Sequence, residues 1–559
     1  MFTSILNNRL NDYLDTFSLL NENQAGFRQG YSTVDHIFSL YMLFQLLNVK
    51  KKKLFCVFVD FEKAFDFIHR QSLFFKLFKY NINGKFLRII QNMYNDVKSR
   101  IVHNNSFSDT FACDIGVRQG ENLSPVLFCL YLNDLQEFLE NANITDVNSI
   151  SSDIENELTV YLKIFLLLYA DDTILLSESK ENLQLHLDKF LEYCNKWKLK
   201  VNVDKTKIMI FSKGRIPENY KFYIQNQEIE IVKNYKYLGI LFSRSGSFLA
   251  TRKYLKEQGI KAMYSVLSKC RANHLSIECQ LEMFDKVVVP ILLYGSEVWG
   301  FENLDIIESV HLRFCKHILR LKQSTPNFMV LGELGRYPLS VKVKLRMVNF
   351  WCRLLDGNIN KISYLLYKLA NINYINYGFE NKWICFMKSI FDNCGLSNIW
   401  LSQDVAAKQW IISSIDLRLK DQFKQNWFAD MNISSKGLCY RIFKCDFDME
   451  KYLSILPYNL ATLFCKYRCG SHRLPVETGR WQSVARNERL CHLCDSADIG
   501  DEFHYIMSCR FFANERKQLL PLYYCRNVNI IKFQQLFTSR SNSVLAKLCK
   551  FIRLILQKM

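Results

Sequence analysis

The stretch FLLLYADDTILLSES, Phe165 to Ser179, runs from apolar and aromatic residues through Ala170 to two adjacent carboxylates, Asp171 and Asp172, and then into a second apolar run. Each flank reads as a β-strand, and the carboxylates read as the tip of a hairpin, where polar side chains meet water. Turn chemistry alone can explain the pair. The surrounding elements decide whether the tip has a further use.

Residues 54–60, LFCVFVD, read as a buried strand ending in Asp60. In LSPVLFCLYLNDLQEFL, residues 123–139, Ser124 as cap and Pro125 at the first helical position start a helix. After the hairpin, residues 183–197 set Leu183, Leu187, Phe190, Leu191, Cys194 and Trp197 on one helical face. KIMIF, 207–211, closes as a strand. Strand, helix, two strands, helix, strand is the β-α-β-β-α-β split motif of ferredoxin-like, α+β folds. In that topology the first strand lies beside the hairpin, so Asp60 is expected next to Asp171 and Asp172. The polar segment 141–160 reads as a surface loop, Lys50 to Lys53 as a solvated one, and the chain after residue 245 as mostly helical.

Carboxylates gathered at strand ends repel each other unless a divalent cation sits among them. Ligands that are all oxygen favour Mg²⁺ or Mn²⁺ over zinc. Two such ions about 3.5–4 Å apart serve in-line phosphoryl displacement. The bulk composition agrees with that chemistry. A formal charge of +19 predicts a polyanionic partner, nucleic acid first and an anionic membrane surface second. With 559 residues the chain exceeds one ordinary core, and 49% hydrophobic residues mark it as globular. No run of ~18 uncharged apolar residues is present to span a bilayer. Arg9 and Asp12 interrupt the opening segment, where a secretory signal needs an unbroken apolar stretch. Most of the nineteen cysteines stand singly among apolar residues, which fits reduced thiols and an intracellular setting, cytoplasm and nucleus.

One group of cysteines differs. Cys491-x2-Cys494-x9-His504-x4-Cys509 has the spacing of a closed tetrahedral Zn²⁺ site, and a disulfide between 491 and 509 is disfavoured by the intracellular composition. Cys465, Cys469 and His472 form a looser group that reads as structural. Residues 510–559 carry ten Lys and Arg and one acidic residue, Glu515. A zinc module with that tail is expected to grip nucleic-acid backbone.

YADD at 169–172, VDFEKAFD at 59–66 and GVRQGENLSP at 116–125 together resemble a reverse transcriptase, specifically one from a LINE-type non-LTR retrotransposon. NENQAGFRQGYSTVDHI, KLKVNVDKTKIMIF, YKYLGILF, PILLYGSEVWG, VLGELGRYPL and LPVETGRWQSVARNERLCHLC are similar to that family in the same order along the chain. The resemblance implies a right-hand polymerase copying an RNA template from a DNA primer or target with dNTPs. Truncated fingers and a ferredoxin-like palm are expected over 1–242, a helical thumb and adjoining region over 243–350, a helical connector over 351–455, and a CCHC module with a basic tail over 456–559.

On that resemblance Asp60, Asp171 and Asp172 take the place of the metal-binding catalytic carboxylates, with Asp60 and Asp171 carrying most of the metal contact. The backbone carbonyl of Phe61 becomes an added ligand. Phe65 stands where a ring blocks a ribose 2′-OH, and this disfavours an RNA-dependent RNA polymerase. Gln119 and Gly120 lie where template and incoming base pair pass. Arg28 and Lys205 neutralise triphosphate charge, and Lys205 can protonate the leaving pyrophosphate. Glu121 stands where the family more often has Asp. Residue 1 falls within the first fingers motif, so an N-terminally truncated element without its endonuclease domain is expected. The rival reading is a catalytically inactive nucleic-acid-binding remnant of such an element.

Overall fold

A computed structural model describes residues 1–141, 166–217 and 220–559. The loop expected over 141–160 lies, from residue 142 on, outside the described residues. Packing divides the chain into two units. Unit 1 is Met1–Thr251, Glu297–Glu302 and Met347–Ala406; unit 2 is Arg252–Ser296, Asn303–Arg346 and Ala407–Met559. This grouping is coarser than the four segments expected from the sequence, and it assigns 351–406 and 407–455 to different units.

Unit 1 is built on a four-stranded antiparallel sheet. Its elements are α1 (Thr33–Val49), β1 (Leu54–Val59), α2 (Ser124–Leu132), β2 (Leu166–Tyr169), β3 (Asp172–Ser177), α3 (Lys180–Lys196) and β4 (Lys207–Phe211). The strand order is β2-β3-β1-β4, so the first strand sits between the hairpin and the last strand, as the split motif requires. Successive residues on a strand face opposite sides. Phe55, Val57 and Val59 of β1, with Ile208 and Ile210 of β4, pack into one core with Leu127 and Phe128 of α2 and Leu183, Leu187 and Phe190 of α3.

The other face meets α1 and a short hairpin, β5 (Asn234–Tyr237) and β6 (Ile240–Ser243). Phe44 of α1 lies 5.1 Å from Phe211, and Tyr235 of β5 stacks on Phe58 at 4.1 Å. On its far side α1 is covered by the returning segment 347–406, with Phe38 at 5.0 Å from both Phe350 and Trp383. Apolar residues from Ile37 to Leu47 are buried along most of its length, each worth roughly 1.5–3 kcal/mol. Ser32 and Asp35 close its start with a capping box.

The helix read over 123–139 is broken in two. α2 stops at Leu132, and a second helix spans Leu135–Glu140. Side chains hold the chain at the break. Asn133 bonds the Asn21 N–H and the Leu19 carbonyl, and Asp134 accepts from Lys76 Nζ and Tyr193 Oη, both at 2.6 Å. Ser124 does not cap the helix; its hydroxyl donates to the Arg118 carbonyl at 2.6 Å.

Unit 2 is helical, as the sequence after 245 suggests, and all nineteen cysteines are free thiols. Its interior holds an ion cluster: Arg468 is fully buried and pairs with Glu333 and Glu450, each at 3.0 Å. Among the described residues no helix is long and apolar enough to cross a membrane.

Candidate active site and metal centres

Strand register brings the expected carboxylates together. Val59 of β1 lies opposite Thr173 of β3, so the next residues outward are Asp60 and Asp172, with Asp171 in the turn. Asp60 sits on held backbone. Its N–H donates to Thr206 Oγ1 at 3.3 Å, and its carbonyl accepts from the Asn202 N–H at 2.8 Å. The same turn carries Lys205, whose Nζ is 3.8 Å from Asp60 Oδ2.

Burial and the neighbouring charges of Asp171 and Asp60 push the Asp172 carboxyl up to about 6. Asp171 is also raised, by burial first and by Asp60 as well, against a backbone hydrogen bond. Tyr235, stacked under this end of the sheet, is pushed up to about 12 by burial and by Asp172 and Asp60. Carboxylates gathered closely enough for one to raise the next are suited to a divalent cation.

Gln24 and Gly26, which the sequence reading passed over, hold the hairpin tip. Ala170 has φ +57°, a left-handed conformation costing a non-glycine residue roughly 1–2 kcal/mol. The buried Gln24 stabilises it: its Oε1 accepts from the Gly26 N–H at 2.8 Å and from the Ala170 N–H at 3.1 Å. Gly26 packs so closely that a Cβ there would lie 2.3 Å from the Ala170 nitrogen. Beside them the Leu168 carbonyl accepts from Ala25 N–H at 2.9 Å and from His36 Nε2 at 2.8 Å. The motif NENQAGF contains Gln24 and Gly26, but nothing in its spacing shows which strand it abuts.

The other expected residues divide. Phe65 stacks on Phe128 at 5.0 Å and lines a concavity of about 670 Å³ together with Gln119 and Gly120. Gly120 has φ +82° and open space where a Cβ would stand, so the backbone there is accessible. Gln119 Nε2 donates to Asp66 Oδ1 at 3.1 Å. Phe61 is buried, 5.9 Å from Phe190, and follows Asp60 directly. Arg28 is committed within its own loop: it donates to the Asn21 and Gln24 carbonyls at 2.9 and 3.1 Å and pairs with Glu22 at 3.2 Å. Of the two expected triphosphate cations, Lys205 is the one set beside Asp60.

In unit 2 the structure brings Cys491, Cys494, His504 and Cys509 together, with their ligand atoms all within 4.8 Å of one another. Cys491 Sγ to Cys509 Sγ is 4.0 Å and Cys494 Sγ to His504 Nε2 is 3.4 Å. Tetrahedral Zn–S bonds of about 2.3 Å demand S···S edges of roughly 3.8 Å, so the donor set fits that ion. Asp498 Oδ2 lies 3.3 Å from His504 Nδ1 and fixes the ring with Nε2 toward the thiols. Cys465 and Cys469 face Glu333 instead, where Arg468 already neutralises the carboxylate, and His472 bonds Glu502 at 2.9 Å.

The sequence family of reverse transcriptases (RNA-dependent DNA polymerases) matches residues 1–242. The probable RNA-directed DNA polymerase from transposon BS of Drosophila melanogaster is 27% identical over 316 residues, covering 54% of this chain and 32% of that protein. The RNA-directed DNA polymerase from mobile element jockey, also of Drosophila melanogaster, is 23% identical over 339 residues, covering 59% of this chain and 35% of its own length. The chain thus spans about a third of the length of these curated relatives. A solved telomerase from Candida Tropicalis, in complex with a fragment of telomeric RNA, is similar with a TM-score of 0.33 at 15% identity, over 66% of this chain and 56% of that one. Residues 1–242 of this chain match the reverse transcriptase family, and the chain is similar to the polymerases of these transposable elements.

Proposed function

We propose that the chain acts as the RNA-directed DNA polymerase of a LINE-like retrotransposon, adding dNTPs to a DNA primer 3′-OH along an RNA template. The observation that carries this reading is the β1–β3 register, which sets Asp60 and Asp172 side by side beyond the ladder with Asp171 in the adjoining turn. The raising of Asp172 by burial and by Asp171 and Asp60, and of Asp171 by burial and by Asp60, supports a donor set suited to Mg²⁺ or Mn²⁺. Such ions, when bound, supply charge neutralisation at the attacking and leaving oxygens.

The chain's own residues do the rest in this reading. Asp60, Asp171 and Asp172 hold the ions, with the Phe61 carbonyl as an added ligand. Phe65 lines the floor of the nucleotide concavity, where its ring excludes a ribose 2′-OH. Gln119 and the open backbone of Gly120 border the template and incoming base pair. Lys205 balances triphosphate charge and donates a proton to the leaving pyrophosphate. Arg28 joins Lys205 in neutralising triphosphate charge, and its bonds within the 21–31 loop steady that loop, which in turn steadies the hairpin through Gln24.

Residues 1–242 form fingers and palm, 243–350 thumb, 351–455 connector, and 456–559 a module ordered by a structural Zn²⁺ on Cys491, Cys494, His504 and Cys509. Four protein ligands leave that ion no open position for chemistry. The deciding experiment is dNTP incorporation on a primed RNA template with Mg²⁺ or Mn²⁺, for the native chain and for Asp171→Asn. Incorporation lost in the variant is expected. Equal rates remove the carboxylates from the mechanism, and an inactive native chain favours the non-catalytic remnant.

A further inference from the structure

Lys361 is buried just before α4 (Ile362–Tyr377), a helix of the segment that covers α1 in unit 1. Among the described residues no carboxylate pairs with its ammonium. Nζ donates instead to the Gly30 carbonyl at 2.6 Å and lies 4.2 Å from the centre of the Tyr31 ring. Burial lowers its pKa, Arg353 and Arg28 add to that, and Asp35 and Glu22 act against it. An apolar side chain of similar length would fill the place without the cost of desolvating a cation. The reason for the charge therefore lies in what it touches.

Both contacts are on the loop that carries Arg28. The Tyr31 ring lies 4.2 Å from the Arg28 guanidinium as well, its hydroxyl donates to Glu22, and Glu22 pairs with Arg28 at 3.2 Å. The Tyr31 N–H returns to the Arg28 carbonyl at 3.3 Å. Lys361, Tyr31, Glu22 and Arg28 thus form one connected group. Gly30 has φ +79°, so the loop turns sharply at the carbonyl that Lys361 holds. The same covering segment pins the residues that follow. Arg353 donates to Ser32 Oγ at 3.1 Å, and Ser363 Oγ donates to Asp35 Oδ1 at 3.4 Å. Phe27 lines the nucleotide concavity with Phe65, and the next residue, Arg28, lines a second concavity of about 490 Å³ with Tyr31, Arg353 and Lys361. One side of the loop meets the nucleotide site and the other meets Lys361.

We propose that Lys361 is a positioning residue for the incoming nucleotide, fixing Arg28 through Gly30 and the Tyr31 ring. The inference rests on the polymerase reading, in which Arg28 neutralises triphosphate charge, and it adds a residue from outside the matched 1–242. The triphosphate is charged before transfer as well as during it. A displaced Arg28 therefore weakens ground state and transition state alike, which raises KM and leaves kcat in place.

The test is dNTP incorporation by the full chain on a primed RNA template, with KM for dNTP and kcat measured separately. Lys361→Met removes the charge and keeps most of the length. It should raise KM for dNTP about tenfold, the worth of one charge-assisted contact, with kcat and KM for the primed template near native. Lys361→Arg keeps a cation and a donor and should restore KM. Lys368→Met removes an exposed cation from the same helix and should change neither constant. A packing role alone predicts a lower Tm and a lower kcat with native KM, and that result overturns the inference. So do additive KM effects of Lys361→Met and Arg28→Gln, because a residue acting through Arg28 adds nothing once the guanidinium is gone. The affinity of a fluorescent dNTP for the chain on a dideoxy-terminated primer gives the same comparison without turnover. Equal affinities in the native chain and Lys361→Met count against Lys361 alone, whereas a native chain that binds dNTP and fails to incorporate it counts against the polymerase reading.

Discussion

Gly26→Ala isolates the contact that places the Asp171–Asp172 hairpin. The added Cβ would lie 2.3 Å from the Ala170 nitrogen and 3.1 Å from its Cα, whereas ordinary contact begins near 3.4 Å. The neighbour is backbone and cannot swing aside, so the tip must retreat by about 1 Å, or the 24–26 segment must. Overpacking of this kind costs roughly 1–3 kcal/mol. A displacement of about 1 Å at reacting groups costs on the order of 100-fold in rate. Asp171 follows Ala170 directly, so the loss should appear chiefly as a fall in kcat for dNTP incorporation, with a smaller fall in Tm. Gly214→Ala serves as control, because its nearest neighbour is Ser212 Oγ at 3.7 Å. Native incorporation and native Tm in Gly26→Ala would refute the claim that this contact positions the hairpin.

Phe65→Val should keep deoxynucleotide use while admitting ribonucleotides; the ratio of kcat/KM for the two substrates measures it, and an unchanged ratio makes Phe65 packing alone. Metal analysis of the full chain should find one zinc per chain, lost with Cys494→Ser together with protease resistance of the C-terminal residues, whereas a native chain free of zinc contradicts the site. Burial holds His36 at about 4 against an ordinary 6.5, despite its bond to the Leu168 carbonyl and the nearby Asp35. Neutral in the folded chain and charged in the unfolded one, it contributes stability that is complete above pH 6.5 and lost as the pH falls toward 4. The loss amounts to roughly 3 kcal/mol over that span. Urea unfolding at a series of pH values should show the slope, and His36→Gln should flatten it; identical slopes would assign the acid sensitivity to other groups.

The sheet was legible because strand alternation and the order of elements are local signals that leave few topologies. Asp60 could be placed beside Asp171 and Asp172 on that basis alone. The supports were not legible. Gln24 matters through a bond to Ala170, and Gly26 through an approach to the same residue, contacts that exist only once the chain has folded back. The break at Asn133 and Asp134 arises similarly, since Asn21, Lys76 and Tyr193 reach it from distant segments. Cys491, Cys494, His504 and Cys509 announced themselves as a group by spacing along one short stretch. Lys361 gave no such signal, because its bond to Gly30 spans 331 positions.

The interleaving of the two units has a consequence for synthesis on the ribosome. Unit 1 takes its last segment, Met347–Ala406, from beyond two stretches of unit 2. Until that segment has emerged, α1 has made its contacts with the sheet but lacks the cover of Phe350 and Trp383 over Phe38. The nascent chain therefore carries a greasy helix face for the time needed to translate the stretch from β6 to Trp383, an interval of roughly 7–28 seconds at common elongation rates. A fragment ending at residue 242 would keep that face bare indefinitely. Recombinant reverse transcriptase domains cut at the family boundary should aggregate for this reason, while chains extended through residue 406 regain the missing lid.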